Sequence, residues 1–163
     1  MFAHPNYVIM EKHPRSHYYI RFNDCDPFGH LNNGRYLDYC LNAREDHLRD
    51  NYGVDLKDWA AKGIGFVVNR HEIRYLRPVT YNEKVCIQTA LIDIGDTWLT
   101  VEMTLWDDNR QQLKALLWTT FTRVDVRTGK KQAHDQPFLE WFGPLRVAVQ
   151  TDQDARIAAL RTA

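Results

Sequence analysis

The chain has little cysteine. Its three, Cys25, Cys40 and Cys86, stand far apart, form no C-x-x-C pair and are odd in number. That excludes a disulfide framework and points to a reducing compartment. Long apolar runs are missing too. No stretch approaches the roughly 18 uncharged apolar residues of a membrane span, and Met1 to His17 is polar, without the apolar run of a secretion signal. A cytoplasmic protein without a membrane partner is expected. Neither charge is in excess: 21 Lys and Arg balance 21 Asp and Glu. Nothing in that balance favours nucleic acid, and no nucleic-acid partner is expected. Metal-ligand spacings are absent as well. The seven histidines are scattered, and His71-Glu72 is followed by Ile73, Arg74 and Tyr75, so the second histidine of H-E-x-x-H is missing. The expectation is no metal site.

What is present is the composition of a folded core. At 163 residues, 44% hydrophobic and 26% charged, the chain fits one globular domain spanning 1–163. An irregular N-terminal arm is expected over 1–16 and a first strand over 17–23, followed by a turn from Asp24 to Leu31 with Pro27 and Gly29. From Asn33 to Asn51 the apolar spacing becomes helical. Leu37, Leu41, Arg44 and Leu48 share one face, and Tyr36, Cys40, Ala43 and His47 another. Apolar residues fill more than half the circumference, which predicts a largely buried helix, stopped near Gly53. A short helix is expected over Leu56–Lys62. Four strands are then predicted: Phe66–Leu76, Lys84–Ile94, Trp98–Trp106 and Gln112–Asp125, the later ones joined as antiparallel hairpins. The last segment, 136–163, reads as a C-terminal extension, with Phe138, Trp141 and Phe142 capping an edge and a weak helix near Asp152–Arg161. The fold class is α+β, with a five-stranded antiparallel sheet and one long helix. Alternation places Trp98, Trp106 and Trp118 on the face opposite Leu99, Val101, Met103 and Leu105. A sheet apolar on both faces needs cover on both. The long helix is expected on one and a second subunit on the other, giving a homodimer or homotetramer.

The most informative stretch is Arg21-Phe22-Asn23-Asp24-Cys25-Asp26-Pro27-Phe28-Gly29-His30-Leu31-Asn32-Asn33-Gly34-Arg35-Tyr36. A strand runs into an acidic turn, and the turn into a double asparagine suited to start a helix. A carboxylate there lies beside helix N–H groups and the positive end of the helix dipole. A base or nucleophile next to an anion stabiliser is the pairing that acyl transfer requires.

The segment Asp24–Tyr36 resembles the signature D-x-D-x-x-G-H-x-N-N-x-x-Y of acyl-CoA thioesterases of the 4-hydroxybenzoyl-CoA thioesterase family. Arg70–Val79 is similar to that family's second strand, which ends in Y-L-R-P. The resemblance covers roughly residues 17–135. It implies a single hotdog domain, in which the sheet wraps a long central helix. It implies hydrolysis of an acyl-CoA thioester to a carboxylic acid and free CoA, in a homo-oligomer, without a cofactor. Asp26 would be the catalytic carboxylate, attacking directly or activating water, and an amide near Asn33 or Gly34 would polarise the thioester carbonyl. His30 is a further candidate, as acid or as positioner of the leaving thiolate.

Each assignment has a plainer counterpart. Asp26 can hold turn amides, one of Asn32 and Asn33 can simply cap the helix, and His30 can pack. Asp24 reads as a solvated turn carboxylate. Among the aromatics, Phe28, Tyr36 and Phe66 are candidate acyl-pocket residues, against a reading as ordinary core. Arg70 and Arg74 share a strand face and Arg77 follows; they are candidates for the CoA phosphates, against surface ion pairs with Glu72 or Glu83. Two alternatives stay open. A hotdog hydratase or dehydratase pairs Asp with a His five residues on, whereas Asp24 and Asp26 stand six and four before His30. The other is a non-catalytic acyl-CoA-binding module.

Overall fold

The computed structural model describes residues 10–163; of the expected arm, residues 1–9 lie outside the described residues. The first strand, β1, spans Arg15–Tyr19 and pairs antiparallel with β3, Lys84–Ile94. It begins earlier than the sequence suggested and ends sooner. Pairing stops where β3 begins: the Ile20 amide still donates to Glu83 O, but the chain then tightens into a 3-10 turn over Phe22–Asp24.

The long helix, α1, runs Arg35–Tyr52, about 27 Å at 1.5 Å per residue. Both predicted apolar faces turn inward. Tyr36, Cys40, Ala43 and His47 are buried, as are Arg44 and Leu48. Gly53 ends the helix in the left-handed conformation, φ 64°, its amide donating back to Arg49 and Leu48 carbonyls; a residue with a Cβ is strained there. A short helix, α2 (Leu56–Ala61), leads into β2 (Ile64–Tyr75). Then β3, β4 (Trp98–Asp107) and β5 (Leu113–Asp125) follow as hairpins.

The sheet order is β1-β3-β4-β5-β2, antiparallel throughout, so β2 lies at one end with β5 as its sheet neighbour. One sheet face wraps α1 over a core that includes Ile87, Val101, Met103 and Leu117. Two further helices complete the described chain: α3 (Gln136–Phe142) and α4 (Gln153–Thr162). Phe138 and Phe142 of α3 are fully buried in the same core, against Trp59 and Phe66. The tail is thus part of the core and more than an edge cap.

The opposite sheet face differs from the expectation. Trp106 is covered by this chain's own α4, in a second cluster where Cys86, Leu113 and Leu116 meet Ile157 and Leu160. A buried ion pair fixes that helix. Glu102, 2% exposed, accepts from Arg156 Nε at 2.9 Å and Nη2 at 2.7 Å, and from Trp118 Nε1 at 3.0 Å. Cover assigned to a second subunit is therefore supplied, in this region, in cis. No helix among the described residues is long and apolar enough to cross a membrane.

Candidate active site

The acidic turn is built in two layers. Asp26 N donates to His30 O and Gly29 N to Asp26 O, while Asn32 N donates to Asp24 O and Cys25 bridges Leu31. The segment 24–32 is thus a small hairpin. A second layer, Val79–Tyr81, clamps its returning limb: Leu31 N donates to Val79 O and Tyr81 N to Gly29 O. Gly29 sits at φ 74°, the left-handed geometry this reversal needs. The hairpin delivers the chain at Asn32 directly into α1.

Asp26 is half-buried in this turn. Its Oδ1 accepts from Phe28 N at 2.9 Å and His30 N at 3.1 Å. The turn role weighed from sequence is therefore real, yet it occupies one oxygen. Among the described residues Oδ2 has no hydrogen-bond partner, so a reactive oxygen remains on a carboxylate whose orientation is fixed. Asp24 is differently placed. Its Oδ2 accepts from Tyr39 OH at 2.7 Å, and its Oδ1 is 3.6 Å from Arg35 Nε. Both of its oxygens serve the fold, one in a hydrogen bond and one facing a guanidinium. His30 contributes main-chain bonds to the hairpin, and its ring has no hydrogen bond among the described residues.

The double asparagine works otherwise than as a simple cap. The capping position is Gly34, in helical conformation with no side-chain cap. Asn32 acts one turn earlier: its Oδ1 accepts from Gly34 N at 3.0 Å and its carbonyl from Arg35 N. The Gly34 amide is thereby occupied. Asn33 N has no acceptor among the described residues, and the Asn33 carbonyl accepts from Tyr75 OH at 2.8 Å. Of the two amides named from sequence, the one left unengaged is that of Asn33. The first-turn amides of α1, which lack intrahelical acceptors, lie next to it.

The aromatic candidates separate. Phe28 is 84% exposed at the hairpin tip. Tyr36 is buried, its ring edge-on to Tyr75 at 5.0 Å. Phe66 alone lines a cavity, of about 360 Å³, between α1, α2, α3 and the start of β2. That cavity is walled by Leu48, Trp59, Phe121, Phe138 and others, and none of Asp26, Asn33 or Gly34 borders it. It opens farther along α1, so hairpin and cavity are separate features. The cavity was not visible in the sequence because α3 walls it from far away in the chain. The arginines separate too. Arg70 pairs with Glu72 at 2.8 Å, and Arg74 with Asp154 of α4 at 2.9 Å. Arg77 is exposed and has no ion pair among the described residues. Glu83, weighed as a partner, pairs with Lys114 instead.

A five-stranded antiparallel sheet wrapped around a long helix is the hotdog fold of thioesterases. A model of the thioesterase-like superfamily matches residues 20–142, and the chain belongs to that superfamily. It is 29% identical over 115 residues to the long-chain acyl-CoA thioesterase FadM of Escherichia coli (strain K12), covering 70% of this chain and 85% of that protein. Among solved structures, it is similar to YbaW, a probable thioesterase from Escherichia coli, with TM-score 0.71 and 25% identity over 82% of this chain and 98% of the other. The 1,4-dihydroxy-2-naphthoyl-CoA thioesterase Slr0204 from Synechocystis shares the fold at TM-score 0.72, with 15% identity over 80% of this chain and 96% of the other.

Proposed function

We propose that this protein hydrolyses acyl-CoA thioesters, with Asp26 as the reacting carboxylate and the Asn33 amide at the α1 N-terminus as the carbonyl stabiliser. Water adds across the C–S bond, giving a carboxylic acid and the CoA thiol. Asp26 either attacks the carbonyl carbon, forming an anhydride that water opens, or takes a proton from the attacking water. In both routes negative charge develops on the thioester oxygen, where an N–H at the positive end of a helix lowers its energy. The observation that carries this reading is the division of labour within Asp26: Oδ1 bound by two backbone amides, Oδ2 unbound. A carboxylate held that way cannot swing, so its free oxygen is positioned before substrate arrives.

The test separates the two aspartates. Asp26→Asn retains a side-chain oxygen that can accept from the Phe28 and His30 amides, so the turn is kept. It should lose on the order of 10²-fold or more in kcat, the size of a lost base or nucleophile. Asp24→Asn, which leaves an acceptor for Tyr39, should lose far less. Equal losses, or an active Asp26→Asn, would overturn the assignment. In the same assay Arg77, whose charge is uncommitted, is the residue retained for the CoA phosphates. Arg77→Ala should raise KM for acyl-CoA several-fold and leave KM for the corresponding acyl-pantetheine, which lacks the nucleotide, in place. The proposal further includes a homodimer formed through β2.

A further inference from the structure

Arg44 lies on the apolar stripe of α1 and is 7% exposed. It lines the 360 Å³ cavity together with Phe66, Phe121 and Phe138. Among the described residues no carboxylate comes within ion-pair distance of it. Its companion is Tyr52, whose ring centroid is 5.9 Å from the guanidinium carbon and whose hydroxyl donates onward to Glu11 O. Residues 1–9 include no Asp or Glu, so they cannot supply a side-chain counter-charge either. Glu45 borders the same cavity from an exposed position and forms no ion pair with Arg44. A guanidinium cannot shed its proton to escape burial, although burial does lower its pKa from the ordinary value. An unneutralised buried cation is costly to keep. The cost is offset when a ligand brings the missing anion.

The position of Arg44 fixes where that anion sits. It stands ten residues beyond Gly34, about 15 Å along the helix axis. Strand β2 runs alongside in the opposite sense: Tyr75, at its end, meets Asn33, and Phe66, near its start, meets the cavity. Leu37 and Leu41 of α1 and Ile73 of β2 are partly buried apolar residues packed against the same core. An acyl chain with its thioester at Asn33 and its body in a groove between α1 and β2 would bring its far end to Arg44.

We infer that the cavity receives the distal end of a long acyl chain and that Arg44 binds a terminal carboxylate there, making ω-carboxyacyl-CoA the preferred substrate class. This rests on the thioesterase reading for its chemistry, but the recognition can be measured without turnover.

The probes are two non-hydrolysable S-alkyl-CoA thioethers of equal length, one ending in a methyl group and one in a carboxylate, titrated calorimetrically. The wild type should bind the carboxylate-ended probe about 10- to 100-fold more tightly, the range of a charge-assisted hydrogen-bonded contact. Arg44→Met should abolish that preference, and Arg44→Lys, which keeps a cation, should retain part of it. The Lys variant covers the case in which the Met variant does not fold. Equal affinity for both probes in the wild type, or a preference for the methyl end, overturns the inference. So does a preference that persists in Arg44→Met. Matching thioesters are assayed in parallel. Probe preference without hydrolysis would defeat the thioesterase reading alone. Hydrolysis without probe preference would defeat this inference alone.

Discussion

At the scale of single residues, chemistry here is decided by which lone pair or N–H is left over. Asp24 and Asp26 are alike in sequence and two positions apart, yet Tyr39 and Arg35 engage the first, and the second keeps an oxygen. The motif made both visible; the difference between them depends on Tyr39, a helix residue whose hydroxyl reaches back 15 positions, and no local pattern encodes that. His47 illustrates the same point in the core. Its ring is wedged between Ser16 Oγ at 2.9 Å and Thr89 Oγ1 at 2.8 Å. Burial, with Arg44 adding to it, lowers its pKa to about 4. An unfolded chain would protonate this imidazole near its ordinary 6.5. Below that value the unfolded state binds the proton that the folded state refuses, so the stabilising contribution is complete above about pH 6.5 and is lost as pH falls toward 4. Other buried histidines, such as His134, push the same way. The share due to His47 can be isolated by denaturant unfolding at pH 7 and pH 5. His47→Gln should lose less stability across that interval than the wild type, and an unchanged loss would remove His47 from the account.

Among the elements, legibility follows the range of the interactions. The strand Lys84–Ile94 lies at its predicted bounds, and α1 lies within a residue or two of its predicted ends, because turn punctuation, period and stop signals are local. Strand β1 was misplaced because its limits are set by pairing with β3, some 70 residues away. The covering of the outer sheet face was missed for a related reason: the weak periodicity of 152–161 gives no hint that Arg156 reaches a glutamate inside the sheet. The one cue was Glu102, a charge in the middle of an apolar strand. That pair yields a prediction about α4. Arg156→Met strips the partner from a carboxylate that is 2% exposed, leaving Trp118 Nε1 as its donor. The cost should be about 3–5 kcal/mol, as for other broken buried pairs. Glu102→Leu combined with Arg156→Met removes both charges and should recover most of it. The check is a double-mutant cycle by thermal or denaturant unfolding. A double variant no more stable than Arg156→Met would mean that the loss comes from other contacts of Arg156 and not from the stranded Glu102 carboxylate.

For the whole molecule, the decisive features are one covered face and one open edge. Cover by α4 over Trp106 removes part of the apolar surface from which sheet-to-sheet pairing was expected. The dimer proposed here forms through strand β2. That strand is twelve residues long, has one sheet neighbour among the described residues, and contains neither proline nor lysine. Val67 and Val68 on it are 48% and 41% exposed. Such an edge offers a row of unpaired backbone donors and acceptors and invites another strand. The opposite edge, β1, is five residues long and a poorer template. Antiparallel pairing of β2 with its copy about a two-fold axis would close that edge, join the two sheets and seal the α1–β2 groove along which the acyl chain is proposed to lie. Sedimentation velocity at micromolar concentration should therefore give a dimer. Val67→Lys places two like charges near each other across that axis and should shift the population to monomer, with thioesterase activity falling in step because each groove loses a wall. Tyr19→Lys, on the β1 edge, should leave the dimer in place. A wild-type monomer would refute the pairing outright, and dissociation by Tyr19→Lys with Val67→Lys still dimeric would move the interface to the other edge, leaving the β2 groove open to solvent.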